Sequence, residues 1–354
     1  MNKASRLAAA LLFRPAQPFT IENYMRKFHP AHLSRHHGRV RVDEYHTCFQ
    51  DPGKVQEFVE QEKKHYEKVS EGWGDRSKHY YERVTERKDV RNQSTPEAYE
   101  EYEYRTVAAW HEGREYTKIF RSRMGDSKEQ EVLDIMKHQL LRQNHNTVQL
   151  TKTVFSPSHR YLAFGFDLLN NERTAFMVKD VERNRIVGVK GWEDNMLRET
   201  ENVVFDGDEA IFFTKLAADF RPHEVWRQDL KTGEKELVYR EESAEHYVDI
   251  YLTKDSSHLI INPNSKEDNE LMTIALREQP RRLSSLSQRE QGQRVHANTC
   301  LDGFVLWKDT RDGHLVTFQG GEAEKTIYQC SQSEVITDID VFERHVVLYC
   351  REVV

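Results

Sequence analysis

The sequence predicts a mainly-β chain: a β-propeller of about five to six blades, preceded by a short α-helical segment. Three observations predict it. First, a strand-rich block recurs roughly every 40 to 50 residues, the spacing of one four-stranded blade. The blocks are marked by polar turns at His111-Glu112-Gly113, Ser156-Pro157-Ser158-His159, Asp206-Gly207-Asp208-Glu209, Lys254-Asp255-Ser256-Ser257, Asp302-Gly303 and Glu343-Arg344. Second, the repeating unit is a group of about four strands rather than two, which favours blades over a β-sandwich, the alternative that also shows strands every 8–12 residues. Third, the second strand of each group is the most apolar (Tyr161–Phe166, Ala210–Thr214, His258–Asn262), as expected of a strand buried between neighbouring blades.

In chain order, residues 1–42 form a basic tail, 43–96 a helical lead-in and 97–354 the blades. The tail holds Lys3, Arg6, Arg14, Arg26, Lys27, Arg35, Arg39 and Arg41 against Glu22 alone, a net charge of +7. Its Ser5–Arg14 stretch can form a short helix with Leu7, Leu11 and Leu12 near one side. That composition predicts a mitochondrial transit peptide. A secretory signal or a plain basic tail are the competing readings, and a cytoplasmic location is the alternative. His29, His32, His36 and His37 also lie here. His32 and His36 would share a helix face, but no third ligand has suitable spacing, so no metal is expected.

In the lead-in, Asp51-Pro52-Gly53 reads as a helix start. Val55, Phe58, Val59, Tyr66 and Val69 follow at near-helical spacing and predict a helix over 55–69. A second, weaker one is expected around 77–90, and residues 91–97 mark a boundary. Tyr99–Tyr104 reads as the first strand. Tyr102–Trp110 and Tyr116–Phe120 form a hairpin, and strand groups follow through Val335–Val341 and His345–Cys350.

Composition narrows the function. The whole chain carries −7, so the residues after the tail carry −14, which argues against a nucleic-acid surface there. No apolar run approaches the 18 residues of a membrane span. Aromatics at 10% argue against disorder. Cys48, Cys300, Cys330 and Cys350 form no C-x-x-C pair, and free thiols in a reducing compartment are expected. There is no P-loop, dinucleotide fingerprint, EF-hand or zinc spacing. Gly72-Trp73-Gly74 is a lone turn. No cofactor is expected.

Specific residues resemble one family. Arg221-Pro222-His223-Glu224-Val225-Trp226-Arg227 is similar to an R-P-x-x-V-W-R segment of the prolyl oligopeptidase family of serine peptidases. Glu236-Leu237-Val238-Tyr239-Arg240-Glu241-Glu242 is similar to its L-V-Y-x-E run. Phe155-Ser156-Pro157-Ser158 with Tyr161-Leu162-Ala163 resembles its S-P-D turn, and Val178-Lys179-Asp180-Val181 resembles V-K-D-L. Tyr251–Ser256 and Asp338–Phe342 match as well. The likeness is greatest to the oligopeptidase B and prolyl endopeptidase-like branches and covers about 43–354. Two departures stand out: the tryptophan of the family's D-x-Y-x-W-x-E-D motif is missing near Asp43–Phe49, and Ser158 occupies the Asp of S-P-D.

The resemblance implies a seven-bladed propeller that caps an α/β-hydrolase domain and admits only short peptides. It places the catalytic Ser, Asp and His in that C-terminal domain, which is expected to be absent here. No G-x-S-x-G elbow occurs in the sequence. The predicted catalytic, cofactor-binding and metal residues are therefore none. The chain is expected to be the substrate-gating portion of a serine oligopeptidase-like protein, inactive alone, with short peptides as ligands once a hydrolase domain is joined. The alternative is a non-catalytic propeller scaffold that binds a protein partner, in a mitochondrial assembly.

Overall fold

The computed structural model describes residues 32–36, 39–43, 52–86, 92–311, 313–321 and 323–352. The chain divides into two compact units, residues 1–90 and 91–354.

In the first unit, β1 (His32–His36) pairs antiparallel with β2 (Arg39–Asp43). His32 and His36 thus lie along a strand, with backbones about 13 Å apart rather than one helical turn. Helix α1 (Pro52–Ser70) begins on a proline, whose fixed φ and missing N–H suit a first helical turn. It turns through Gly72, at φ +85°, into α2 (Trp73–Glu86). Both helices start earlier than their apolar spacing suggested. Tyr66 packs edge-to-face on Trp73 across the turn, with centroids 6.4 Å apart.

The second unit is a succession of antiparallel meanders, each with its strands in sequence order. The first sheet holds β3 (Glu97–Tyr99), β4 (Tyr102–His111), β5 (Arg114–Arg123) and β6 (Gln130–Asp134). Helix α3 (Gln139–Gln143) follows. The second sheet holds β7 (Gln149–Phe155), β8 (Tyr161–Asp167), β9 (Thr174–Asp180) and β10 (Arg185–Ile186). The third holds β11 (Val203–Asp206), β12 (Ala210–Leu216), β13 (Pro222–Asp229) and β14 (Lys235–Arg240). The fourth holds β15 (Tyr247–Leu252), β16 (His258–Asn264), β17 (Leu271–Ala275) and β18 (Ser284–Ser287). The fifth holds β19 (Arg294–Cys300), β20 (Gly303–Thr310), β21 (Gly313–Gly320) and β22 (Ala323–Gln329). The sixth pairs β23 (Glu334–Val341) with β24 (Val346–Glu352). Among the described residues β24 pairs with β23 alone.

The Tyr-rich stretch is not one strand. Glu100, at φ 52°, and Glu101 turn β3 back onto β4, so Tyr99 pairs with Tyr102.

The cores show how the sheets are arranged. Successive side chains of a strand face opposite ways. In β8, Leu162, Phe164 and Phe166 enter a core shared with Ile119 and Leu133 of the first sheet. Ala163 enters the next core, with Val203, Phe205, Ile211 and Phe213 of the third. Phe212 faces the other way, toward Val248, Leu259 and Ile261 of the fourth. Ile260 then joins Val295, Ala297 and Leu306 of the fifth, and Val305 joins Ile336 and Val341 of the sixth. Five cores separate six sheets, whereas a two-sheet sandwich has one. The first strands lie toward a common centre, with β11 beside both β7 and β15, and β23 beside β19. This is the stacking of propeller blades.

Candidate functional site

Two of the segments that carry the family resemblance, Phe155–Ser158 and Tyr251–Ser256, form turns between the first and second strands of their sheets. The two turns are built alike. In the second sheet the buried Ser156 accepts the Tyr161 N–H on its hydroxyl (3.1 Å) and donates its own N–H to the Tyr161 carbonyl (2.9 Å). In the fourth sheet Thr253 does the same with His258, at 3.1 and 3.0 Å. Each turn then uses a left-handed residue, His159 at φ 58° and Ser256 at φ 53°.

The place that Ser158 holds in the second-sheet turn is taken in the fourth sheet by Asp255. Asp255 accepts hydrogen bonds from Thr253 Oγ1 (2.7 Å), Ser257 Oγ (2.8 Å) and Thr299 Oγ1 (2.8 Å) of the fifth sheet. Burial alone would raise its pKa, but these bonds outweigh burial and hold it down to about 2. In the second sheet Ser158 stands at that place, and its hydroxyl donates to the Asp208 carboxylate in the turn of the third sheet. The carboxylate comes from the neighbouring turn.

Other bonds tie the turn face together. Lys254 donates from its backbone to Asn298 Oδ1 (3.0 Å) and from its ammonium to Asp340 (2.8 Å) of the sixth sheet. The Leu301 N–H donates to the Glu343 carbonyl at 2.8 Å. Asp206 is gripped by Arg227 Nε (2.7 Å) and by both terminal nitrogens of Arg281 from the β17–β18 loop. The turn face is a belt of sheet-to-sheet polar bonds.

The Arg221–Arg227 segment is β13 and its approach. Arg221 Nη1 donates to the carbonyls of Ser243 and His246, both at 2.8 Å, in the linker to the fourth sheet. Glu224 is buried and accepts from Trp226 Nε1 (2.7 Å) and Arg240 Nε (2.9 Å). Burial pushes this carboxyl up, yet the two donors leave it below the usual range. These residues brace the linker.

Two side chains of that linker and one of the β16–β17 loop come into line, unforeseen in the sequence. Ser243 Oγ lies 3.0 Å from His246 Nδ1, and His246 Nε2 lies 2.8 Å from Asp268 Oδ1. The order matches a nucleophile, base and orienting acid. The surroundings give it a structural part. Ser243 Oγ accepts the Glu245 N–H within its own turn (3.3 Å), and Arg289 Nη1 stands 3.3 Å from the same His246 nitrogen. Arg289 is itself paired with Glu241 and Glu270, both at 2.7 Å. Arg289 thus shares with Ser243 the one His246 nitrogen that a base would use.

The cysteines described are no better placed. Burial pushes the thiols of Cys300, Cys330 and Cys350 up, away from the reactive thiolate, and Cys48 lies outside the described residues. Among the described residues His111, Glu112 and His145 bring three donor atoms within 4.8 Å of one another. The first two belong to a turn evident in the sequence, whereas nothing there pointed to His145. A cleft of about 350 Å³ opens between the inner strands of the last three sheets, lined by Tyr251, His296, Asn298, Trp307, Asp338 and Ile339. No helix among the described residues is long and apolar enough to cross a membrane.

Comparison with known proteins agrees with this geometry. The chain is 33% identical over 119 residues to an uncharacterized peptidase of Sinorhizobium fredii, covering 30% of this chain and 16% of that protein. It is 25% identical over 207 residues to a prolyl endopeptidase-like protein of Gallus gallus, covering 56% and 27%. Oligopeptidase B of Trypanosoma brucei, in a closed form with covalently bound antipain, superposes with a TM-score of 0.73 at 20% identity, covering 92% of this chain and 49% of that one. Oligopeptidase B of Leishmania major gives 0.74 at 18%, covering 91% and 48%. At these identities the superpositions speak for the fold. The chain spans about half the length of these solved relatives and less of the curated ones. Residues 27–354 match the family description "Prolyl oligopeptidase, N-terminal beta-propeller domain", and the chain belongs to that family.

Proposed function

We propose that this chain is the propeller, substrate-gating portion of a serine oligopeptidase-like protein. The observation that carries the reading is the match of residues 27–354, in order, to the propeller of a peptidase family. The stacked sheets and their bonded turn face support it, since a gate needs blades held in fixed register to exclude folded proteins on size. In this reading the propeller selects short peptides, and acyl transfer belongs to a separate hydrolase domain. Nucleic acid and cofactors take no part. The basic residues 1–42 direct the protein to mitochondria.

Capture of the endogenous protein with an antibody tests this. A species of about twice the 41.9 kDa of this chain, labelled by a serine-directed fluorophosphonate, supports the gate. An unlabelled species of 41.9 kDa or slightly less, bound one-to-one to an unrelated protein, overturns it in favour of a scaffold. Labelling of the isolated chain, lost in Ser243→Ala, would place chemistry on the propeller itself. Recovery in the cytosol on cell fractionation would overturn the mitochondrial assignment.

A further inference from the structure

The structure assigns a zinc-type metal site to His111, Glu112 and His145, at the join of the first sheet and the segment leading to the second. The site does not depend on the gating function. His111 ends β4, and Glu112-Gly113 form the two-residue turn into β5, with φ of 49° and 85°. Such a turn requires positive φ at both central residues and favours Asn, Asp or Gly first. A glutamate there is held in a costly conformation, and its carboxylate is aimed at the chain that follows β6.

That chain supplies His145, just after α3. Arg114 Nη1, at the start of β5, donates to the His145 carbonyl (3.0 Å) and holds its backbone against the hairpin. The ring is oriented too. Nδ1 lies 3.1 Å from the Arg142 carbonyl, so Nδ1 carries the proton and donates it. Nε2 then presents its lone pair, and it does so 3.0 Å from Glu112 Oε2. Two lone pairs facing at that distance repel. Something positive must lie between them, either a proton on Nε2 or a cation. The His111 ring stands edge-to-face on His145, with centroids 5.2 Å apart, and brings a third donor within 4.8 Å. A proton can serve one nitrogen and one oxygen, whereas a metal ion uses all three.

The donor set, two imidazoles and one carboxylate, suits Zn²⁺ with water in the fourth position. The carbonyl behind His145 is the outer-shell partner that a zinc-bound histidine usually has. A tetrahedral shell with bonds of about 2.0–2.1 Å places donors about 3.4 Å apart, so closure needs side-chain shifts of about 1 Å. The turn of the first sheet is exposed at Glu112 and free to make them. Bound metal would staple the β4–β5 hairpin to the start of the second blade.

The test is titration of the chain with Co²⁺ alone, read by visible ligand-field absorption, followed by displacement with Zn²⁺. His29, His32, His36 and His37 are first changed to Asn, so that no other histidine cluster competes. One Co²⁺ per chain is expected, displaced by one Zn²⁺. His145→Asn and His111→Asn should each weaken binding roughly 100-fold or more, above the 10- to 100-fold typical of outer-shell losses. Far-UV circular dichroism checks that each variant folds; His111→Asn, at a hairpin end, keeps the test open should His145→Asn not fold. The absence of stoichiometric uptake would overturn the site, as would uptake that survives either histidine change.

Discussion

Gly165→Ala is expected to destabilise the propeller by about 1–2 kcal/mol, the net of two opposing effects. Gly165 lies in the middle of β8, directly across from Phe176 of β9. An added Cβ would stand 2.7 Å from Thr151 Oγ1, 2.8 Å from Phe176 Cζ and 2.9 Å from Phe176 Cε1. Carbon atoms meet comfortably at about 3.5–4.0 Å. The ring has nowhere to withdraw, because Phe176 is fully buried in the core with Ala163, Val203 and Phe205. Overpacking of this kind costs about 1–3 kcal/mol. Alanine also restricts the unfolded chain, which contributes about 0.4–1 kcal/mol in the other direction where the backbone tolerates it. Gly165 does not occupy the left-handed region, so that gain applies and the clash must exceed it. The expected Tm drop is a few degrees, at roughly 2–4 °C per kcal/mol for a domain of this size. Urea unfolding followed by tryptophan fluorescence measures it, with Trp192 in the same core as reporter. Phe176→Leu in the alanine background should recover part of the loss, giving a coupling of about 0.5–3 kcal/mol in a double-mutant cycle. An alanine variant as stable as the parent, or strict additivity of the two changes, would refute the reasoning.

Three further outcomes are expected. Arg221→Ala removes two charged-donor bonds to the Ser243 and His246 carbonyls and should cost about 2–3 kcal/mol in urea, with Arg221→Lys recovering part of it, since both bonds leave one nitrogen and an ammonium also carries several N–H donors; an unchanged midpoint counts against the linker clamp. Ser158→Asp restores the family's turn residue but sets a second carboxylate against Asp208. It should cost roughly 1 kcal/mol at neutral pH, relieved by high salt and abolished with Asp208→Asn; a salt-independent effect refutes it. Stability should fall as pH drops below about 4.5, the ordinary range of free carboxyls. Asp255, held to about 2, and Glu224 and Glu241, held low by their donors against burial, have folded pKa values below their unfolded ones. Their contribution is complete above the unfolded values of 3.8 and 4.5 and is lost as pH falls toward the folded ones. Circular dichroism through pH 5 to 2 (roughly the span of those values) checks this, and a flat profile contradicts it.

The blade stacking was legible because burial on both faces leaves a mark that burial on one face does not. Leu162, Ala163, Phe164 and Phe166 feed two cores from one strand, and Leu259, Ile260 and Ile261 do the same. A strand with one wet face would alternate instead. Two of the outer strands were not legible for the same physical reason, whereas those at Glu236–Tyr239 and Ile327–Gln329 were. Gln130–Asp134 and Ser284–Ser287 are short and polar, and what makes them strands is pairing with β5 and β17, not their own propensity. The β3–β4 turn was hidden because Glu100 carries no glycine or asparagine to announce its positive φ. Of the candidate site, the turns were visible as polar punctuation, but their bonds were not. Asp206 and Arg281 are 75 residues apart, and Ser158 and Asp208 are 50.

The turn chemistry bears on how a propeller of this kind behaves. Each sheet is joined to the next twice, by an apolar core that is non-directional and by a turn-face bond that is directional. The cores would tolerate a small slide of one sheet over another, since Leu, Ile and Phe can repack at modest cost. The turn bonds would not, because Asp255 with Thr299, Lys254 with Asn298, and Leu301 with Glu343 each fix one residue of a sheet against one residue of its neighbour. Register between blades is therefore set at this face, while the cores supply most of the cohesion. Under the proposed gating role, that division would hold the width of an opening constant where hydrophobic packing alone would not. The Ser158 and Asp208 pair plays the same part with other residue types, a hydroxyl of the second sheet and a carboxylate of the third joining their blades as Asp255 and Thr299 join the fourth and fifth.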